Sequence, residues 1–180
     1  MPMKKRRGLA SRGVTVPGPE RRGTRKDKTP PSTKTRRLKD PTVCDRCGAI
    51  YTRKTWRFDH PVTRELLAAA SWDICPACEQ TKNGIGYGRI VLRQLPPTAG
   101  EVVVRRRIDN VASRAAHTQP ERRVISVDRN GDGLEVLTTS QELAHRIGRE
   151  IEKAFGGRCR YSWSDDDGSL FAVWHPDRRQ

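Results

Sequence analysis

The sequence predicts an α+β protein in which a four-cysteine ribbon is followed by a small antiparallel β-β-α-β-β domain. Two Cys-x-x-Cys pairs, a strand–strand–helix–strand–strand pattern after residue 120 and a strongly basic N-terminal segment predict this organisation. The expected parts are a basic disordered arm (1–40), a ribbon (41–95), a connector (96–120), the β-β-α-β-β domain (121–176) and a tail (177–180).

The first forty residues form the expected arm. They contain 14 Lys and Arg against 3 Asp and Glu, whereas residues 41–180 contain 22 against 18, so most of the net charge of +15 lies here. The segment has no aromatic residue and few large aliphatic ones, and we expect it to be disordered alone. Such a charge favours a polyanion, and nucleic acid is the expected one. The alternatives are a solubility tail or a membrane-surface patch, although the arm has no Trp or Phe to insert into a membrane.

The chain shows no signal for export or membrane insertion. No stretch approaches about 18 consecutive apolar residues, and the basic start is not followed by an apolar segment. We therefore expect a cytoplasmic protein whose thiols stay reduced, and paired cysteines there indicate metal ligands before disulfides.

The two cysteine pairs, Cys44-x-x-Cys47 and Cys75-x-x-Cys78, are separated by 27 residues and predict one structural zinc site, so that the ribbon is a zinc ribbon. Each short turn brings two sulfurs to one ion, and two turns complete a tetrahedron. Four thiolates leave no open position, so the predicted role is structural.

Several other interpretations of these residues remain as alternatives. The pairs could form a redox motif or an iron–sulfur cluster, and His60 could be a substitute ligand. Gly48 follows the first pair, where such a turn often requires a positive φ. Cys159 is alone and is predicted to be a buried or half-buried small apolar residue.

Between the pairs, "AIYTRKTWRFD" predicts a hairpin and "TRELLAAAS" predicts a helix capped by Thr63. We expect the aromatic residues of this region to form the core of the ribbon, with base stacking as the alternative. They are Tyr51, Trp56, Phe58 and Trp72. Basic residues interleave with them in a hairpin that could face RNA, namely Arg53, Lys54 and Arg57.

The segment "NGIGYGRIVLRQ" predicts a loop leading into a strand, and its glycine spacing does not match a dinucleotide-binding fingerprint. Close approach of the glycines to an RNA backbone is the alternative. "EVVVRRRIDNVASRAAH" predicts either a strand or a helix. Its Arg105, Arg106 and Arg107 form a basic cluster that is either a solvated face or an RNA-contacting patch.

The remaining pattern predicts the β-β-α-β-β domain. "RRVISVD" and "LEVLTT" flank the turn "RNGDG", and "RCRYSWS" and "SLFAVWH" flank a second turn. Between them, Thr139 and Glu142 have the spacing of a capping box. An apolar face from Leu143 to Phe155 predicts a helix that ends at Gly156-Gly157.

Two acidic turns in this domain have some features of metal sites. Asp128 to Asp132 opens like a calcium loop, but its twelfth position is Thr139, which cannot supply a bidentate carboxylate. Asp165 to Asp167 would suit a metal-dependent nuclease, but three consecutive residues at a turn tip point in divergent directions. We predict solvated turns in both places.

The order of these parts resembles the N-terminal part of the Nmd-three family, the archaeal and eukaryotic adaptors of the large ribosomal subunit. The resemblance is carried by the Cys44/Cys47 turn leading to "TRKTWR", by Cys75-Pro-Ala-Cys78 leading to "NGIGYGRIVLRQ" and by "LEVLTTSQELAHRIGREIEKAFGGRCRYSWSDDDGSLFAVW". That family has further cysteine pairs upstream, whereas this chain has no cysteine before Cys44. The resemblance implies a zinc-stabilised module that binds ribosomal RNA on the large subunit.

The sequence therefore predicts a non-enzymatic, ribosome-associated RNA-binding factor that occupies large-subunit RNA during assembly or dormancy. A DNA-binding zinc-ribbon regulator and a metal-dependent nuclease are the alternatives. We expect ribosomal RNA as partner, no membrane or small-molecule substrate, and a monomer off the ribosome. The candidate nucleic-acid contacts are Lys4, Lys5, Arg6, Arg7, Arg21, Arg22, Arg25, Lys26, Arg36, Arg37, Arg53, Lys54, Arg57, Arg89, Arg105, Arg106 and Arg107.

Overall fold

The computed structural model describes residues 37–177, which form two small sheets and four helices and confirm the mixed α+β class. The predicted disorder of the arm and its nine candidate contacts from Lys4 to Arg36 lie outside the described residues. The strands are Thr42–Cys44 (β1), Ile50–Thr52 (β2), Thr55–Arg57 (β3), Ser71–Asp73 (β4), Gly88–Leu92 (β5), Val124–Asn130 (β6), Gly133–Thr138 (β7), Arg158–Trp163 (β8) and Leu170–His175 (β9). The helices are Arg64–Ala69 (α1), Pro76–Asn83 (α2), Glu101–Thr118 (α3) and Gln141–Phe155 (α4).

Residues 42–83 form what we call the cysteine unit, with strand order β3-β2-β1-β4. The predicted hairpin is confirmed as β2 and β3, joined by a two-residue turn in which Arg53 and Lys54 have φ of 49° and 64°. Thr63 caps α1 as predicted, since its hydroxyl oxygen accepts a hydrogen bond from the Leu66 N–H at 3.2 Å. β1 and β4 are parallel, so both strands end at the same edge of the sheet.

The aromatic residues of the cysteine unit divide into two pairs. Trp56 is buried and packs against Tyr51 with ring centroids 5.4 Å apart, as predicted for a core pair. Phe58 and Trp72 are 39% and 61% exposed, so the prediction that they belong to the core is wrong. The buried cysteines and small alanines of the cluster fill the space that large side chains were expected to occupy.

Residues 88–175 form the five-stranded unit, with strand order β6-β7-β5-β9-β8. The predicted strand–strand–helix–strand–strand order corresponds to β6-β7-α4-β8-β9. The sheet is not purely antiparallel, however, because β5 lies at its centre and runs parallel to β9. The ribbon was expected to extend from residue 41 to residue 95 and so to include β5. In the structure β5 instead belongs to the sheet of the following unit. β5-α3-β6-β7-α4-β8 follows the ferredoxin-like order, and β9 is inserted between β5 and β8.

Helices α3 and α4 pack together over one face of this sheet. The segment expected as a connector is a helix, whose buried residues Val104, Ile108, Val111 and Ala115 recur at the helical period. They meet the predicted apolar face of α4 and the inward side chains of β5, β7 and β9. None of the described helices is long and apolar enough to span a membrane.

The turns of the five-stranded unit confirm one prediction and correct another. Asp128 to Asp132 lies in the β6–β7 hairpin, with Gly131 at a φ of 58°. The predicted cap Thr139 is wrong: Ser140 caps α4 by accepting from the Leu143 N–H at 3.2 Å. Thr139 instead is buried, because it continues from β7 and hydrogen-bonds the chain before β6.

Candidate metal centre

Four thiols converge at the edge of the sheet where β1 and β4 both end. Cys44 is the last residue of β1, and Cys75 follows β4 by two residues. Because the two strands are parallel, each delivers its cysteine pair to the same place. Cys47 and Cys78 complete the group, and all four sulfur atoms lie within 4.8 Å of one another.

Local backbone geometry holds each pair in its turn. In the first pair, the Gly48 N–H donates to the Cys44 carbonyl at 2.9 Å, and the Cys44 N–H donates to the Ala49 carbonyl at 2.8 Å. Gly48 has a φ of 72°, as predicted. In the second pair, Pro76 begins α2. Proline suits this position because the first N–H groups of a helix have no acceptor within the helix, so no hydrogen bond is lost.

The spacing of the sulfur atoms fits one four-coordinate ion. An ion about 2.3 Å from each of four tetrahedral sulfurs separates those sulfurs by about 3.8 Å. The sulfurs of Cys47 and Cys75 are 3.7 Å apart. The four thiols are free, so the cluster holds no disulfide that would prevent binding.

Burial and hydrogen bonds shift the pKa values of three of the four thiols, Cys44, Cys75 and Cys78. Burial would raise the pKa of the Cys44 thiol, but backbone hydrogen bonds, the largest from the Cys75 N–H at 3.3 Å, lower it to about 7. Burial raises the pKa of Cys75 and of Cys78. An ion must therefore displace protons from Cys75 and Cys78 when it binds.

Arg123 also contacts the cysteine cluster, and the sequence did not indicate it. It belongs to the five-stranded unit, yet its guanidinium Nη2 lies 3.1 Å from Cys47 Sγ and its Nη1 lies 3.4 Å from Cys78 Sγ. Its Nε donates to the Pro120 carbonyl at 2.7 Å, and its guanidinium carbon lies 5.4 Å from the centre of the Phe58 ring. Burial would lower the pKa of Arg123, but the neighbouring thiolates raise it, so it remains a cation.

This arrangement suits a structural ion. Four thiolates around a divalent ion carry a net charge of about −2, and the Arg123 cation offsets part of it. Within residues 37–177, these cysteines are the one group of three or more Cys, His, Asp or Glu side chains placed to hold an ion. His60, considered as a substitute ligand, hydrogen-bonds the Pro61 carbonyl at 3.0 Å instead.

The candidate nucleic-acid contacts within the described residues fall into separate places. Arg53, Lys54 and Arg57 are exposed on the β2–β3 hairpin. Arg37 is exposed at the beginning of the described chain. Arg89 is exposed on β5, where it forms an ion pair with Glu135.

The three arginines of α3 do not form the compact cluster that their sequence suggested. Consecutive helical residues point about 100° apart, so the three side chains diverge. Arg105 pairs with Glu101 and donates to the Val127 carbonyl at 2.6 Å, whereas Arg107 lies 4.0 Å from Glu150. Arg106 is exposed.

The other side chains singled out in the sequence are in the five-stranded unit. Asp167 lies in the β8–β9 turn, where its carboxylate accepts from the Ser169 N–H at 2.9 Å and this bond holds its pKa below the usual value. Cys159 is buried, as predicted, and burial raises its pKa to about 11.

Comparisons with known proteins assign no family to this arrangement. No protein-family model matches the chain, and no curated protein sequence matches it. A functional conclusion must therefore come from the residues themselves.

Proposed function

We propose that this protein is a non-enzymatic RNA-binding factor, stabilised by one zinc ion, that binds ribosomal RNA of the large subunit. The observation that carries the proposal is where the arm joins the folded part. The backbone N–H of Arg53, at the tip of the β2–β3 hairpin, donates to the carboxylate of Asp40 at 2.8 Å. The basic arm therefore meets the fold beside Arg53, Lys54 and Arg57.

The charge on this side of the molecule favours a polyanion. Residues 1–40 contribute 14 Lys and Arg, and the hairpin adds three exposed cations next to their attachment point. Each cation that neutralises a phosphate releases a condensed counterion, which supplies affinity without sequence recognition. A rigid hairpin places its cations at fixed positions, whereas arm residues can follow the phosphate backbone.

Zinc is the proposed ion because a four-thiolate tetrahedral set suits it and leaves no open position for chemistry. Cys44, Cys47, Cys75 and Cys78 would hold it. Bound zinc would link β1, β4 and α2, and so support a unit whose strands have three residues each. Leu38 packs against the same cluster, so the ion would also stabilise the position of the chain where the arm joins the fold.

The large ribosomal subunit is proposed as the target on the resemblance described above, together with the basic arm. The proposed mechanism is occlusion or chaperoning of an RNA site during assembly or dormancy. A DNA-binding regulator would need the same phosphate contacts, so charge alone does not separate the two functions.

Binding measurements on the zinc-loaded full chain test the proposal. Fluorescence anisotropy would compare fragments of large-subunit RNA with duplex DNA of equal length over a range of salt concentrations. We expect tighter binding to the RNA, and we expect deletion of residues 1–36, which leaves Leu38 and Asp40 in place, to weaken binding and flatten its salt dependence. Equal or tighter binding to the DNA would contradict the RNA assignment, and an unchanged salt slope after deletion would contradict the role of the arm.

A further inference from the structure

The five-stranded sheet has one face covered by α3 and α4 and one face that no described helix covers. Strand register shows which side chains share the uncovered side. Arg89 pairs with Phe171, Val91 pairs with Val173, and Val173 also pairs with Arg160. Their neighbours Ile90, Leu92 and Ala172 point into the core, so these residues point away from it. We call Arg89, Val91, Arg158, Arg160, Phe171 and Val173 the open face.

Phe171 is the most unusual residue of the open face. It is 43% exposed although β9 lies next to the central strand β5. Its sequence neighbours on β9, Leu170 and Ala172, are both buried. Arg89 lies directly beside it on β5. An exposed aromatic ring with an adjacent guanidinium group is the combination on which nucleic-acid bases stack.

A depression adjoins the Phe171 ring. It has a volume of about 430 Å³, and its lining includes Gly86, Tyr87, Gly88, Leu137 and two carboxylates, of which Glu135 is paired with Arg89 and Asp167 accepts from the Ser169 N–H. A Cβ on Gly86 would lie 2.7 Å from the Leu137 side chain, so this position requires glycine. The depression leaves open space beside the Phe171 ring.

Charge on the open face is concentrated at the β8 edge. Arg158 and Arg160 alternate along β8, are both exposed and form no ion pair with any residue in 37–177. The acidic residue of the neighbouring β7 strand, Glu135, is already bound by Arg89 and Asn130. Arg158 and Arg160 are thus unpaired cations on the open face, at the end of β8 that lies away from the Asp165 to Asp167 turn.

We propose that the open face binds single-stranded RNA, with a base stacked on Phe171 and the backbone phosphates held by Arg158 and Arg160. The proposal deepens the proposed function and rests on it. Single-stranded RNA is favoured over a duplex because only unpaired bases expose their faces for stacking. It is favoured over a protein partner because the apolar side chains of this face are one exposed ring and three partly buried residues, Val91, Leu137 and Val173, and arginines border them.

Binding of a single-stranded RNA of about ten nucleotides to the zinc-loaded full chain tests the proposal. We expect Phe171→Ala to weaken this binding about 5-fold to 150-fold, and Phe171→Trp to retain it. Arg160→Glu should also weaken binding. Arg114→Glu is its matched control, because it makes the same charge change on the exposed side of α3, away from the open face. Thermal unfolding would verify that each variant is folded.

Photocrosslinking gives the second measurement. RNA of the same sequence carrying 4-thiouridine should crosslink to peptides that contain Phe171 or residues that line the depression, such as Tyr87. Unchanged affinity of folded Phe171→Ala, with crosslinks confined to the arm, would overturn this inference and leave the proposed RNA-binding function intact. A self-association that Phe171→Ala abolishes, seen by light scattering without RNA, would instead identify a second copy as the occupant. Failure of the unaltered protein to bind any RNA would contradict the proposed function itself.

Discussion

Arg123 donates to the sulfur of Cys47 across a separation of 76 residues, with 3.1 Å between Nη2 and Sγ. The same guanidinium group reaches Cys78, and the Gln80 side-chain amide donates to the Thr139 carbonyl at 3.4 Å nearby. These contacts join the cysteine unit to the five-stranded unit. The cysteine cluster therefore contributes to the junction between the two units as well as to its own sheet.

Replacing Arg123 should weaken that junction. Hydrogen bonds to charged groups contribute about 1.5–3 kcal/mol, so we expect Arg123→Ala to lower the free energy of unfolding of the zinc-loaded protein by about that amount. Arg123→Lys should have an intermediate effect, since it keeps the charge but loses the forked donor. Urea unfolding would measure both. Exposed Arg114→Ala is the control, and a loss for Arg123→Ala no larger than for this control would show that the contact contributes nothing.

Loss of a single cysteine ligand should release the metal. We expect Cys47→Ser to reduce the bound zinc, measured by elemental analysis, well below one ion per chain and to unfold the cysteine unit. Cys159→Ser is the matched control, because that cysteine is buried in the five-stranded unit away from the cluster. Full zinc content in Cys47→Ser, or an equal loss in Cys159→Ser, would contradict the assigned ligand set.

Alanine substitutions at Gly157 and Gly131 would distinguish two contributions to the free energy of unfolding, that of a steric clash and that of a positive φ. Their φ values are 77° and 58°, but a Cβ on Gly157 would lie 2.3 Å from the His175 carbonyl oxygen, whereas a Cβ on Gly131 meets nothing within 4 Å. We expect Gly131→Ala to cost about 1 kcal/mol and Gly157→Ala at least about 2 kcal/mol more. Thermal and urea unfolding would measure the difference, and equal costs would refute the packing around Gly157.

Stability should fall at high pH because of Cys159 and Tyr161. Burial raises the pKa of Cys159 from 9.0 to about 11 and also raises the pKa of Tyr161, whose buried hydroxyl has no hydrogen-bond partner within residues 37–177. Between about pH 9 and about pH 11, the unfolded chain loses protons that the native state keeps. The free energy of unfolding therefore decreases as the pH rises through this range. Below about pH 9 the two groups add no pH dependence.

Urea unfolding across that range would measure this decrease. We expect it to be smaller in Cys159→Ala, and smaller again when Tyr161→Phe is added, because each change removes one titrating group. A decrease as steep in the double variant as in the unaltered protein would assign the effect to other residues.

The sequence was sufficient where a local rule decides the structure. Gly48 and the β2–β3 hairpin follow from turn chemistry, the proximity of the four thiols follows from the cysteine spacing, and the buried face of α4 follows from helical periodicity. The turns and the helix depend on residues close together in the chain, and each Cys-x-x-Cys pair spans four residues.

The features that were missed depend on distant contacts. The strand β5 was recognised, but its alternation does not say which sheet it joins, and its partners β7 and β9 lie far along the chain. Arg123 has no motif around it, and only the folded structure brings it to the sulfurs. Phe58 and Trp72 were assigned to a core that the cysteines themselves occupy.

Sucrose-gradient sedimentation of lysates tests the central claim most directly, since it asks whether the protein is on the ribosome. The full chain should co-migrate with large subunits at low salt and dissociate as salt rises, in growing cells if it acts in assembly or in starved cells if it acts in dormancy. A chain lacking residues 1–36, which keeps Leu38 and Asp40, should dissociate at lower salt. Absence of the full chain from the large-subunit fractions at low salt, in both growing and starved cells, would contradict the account.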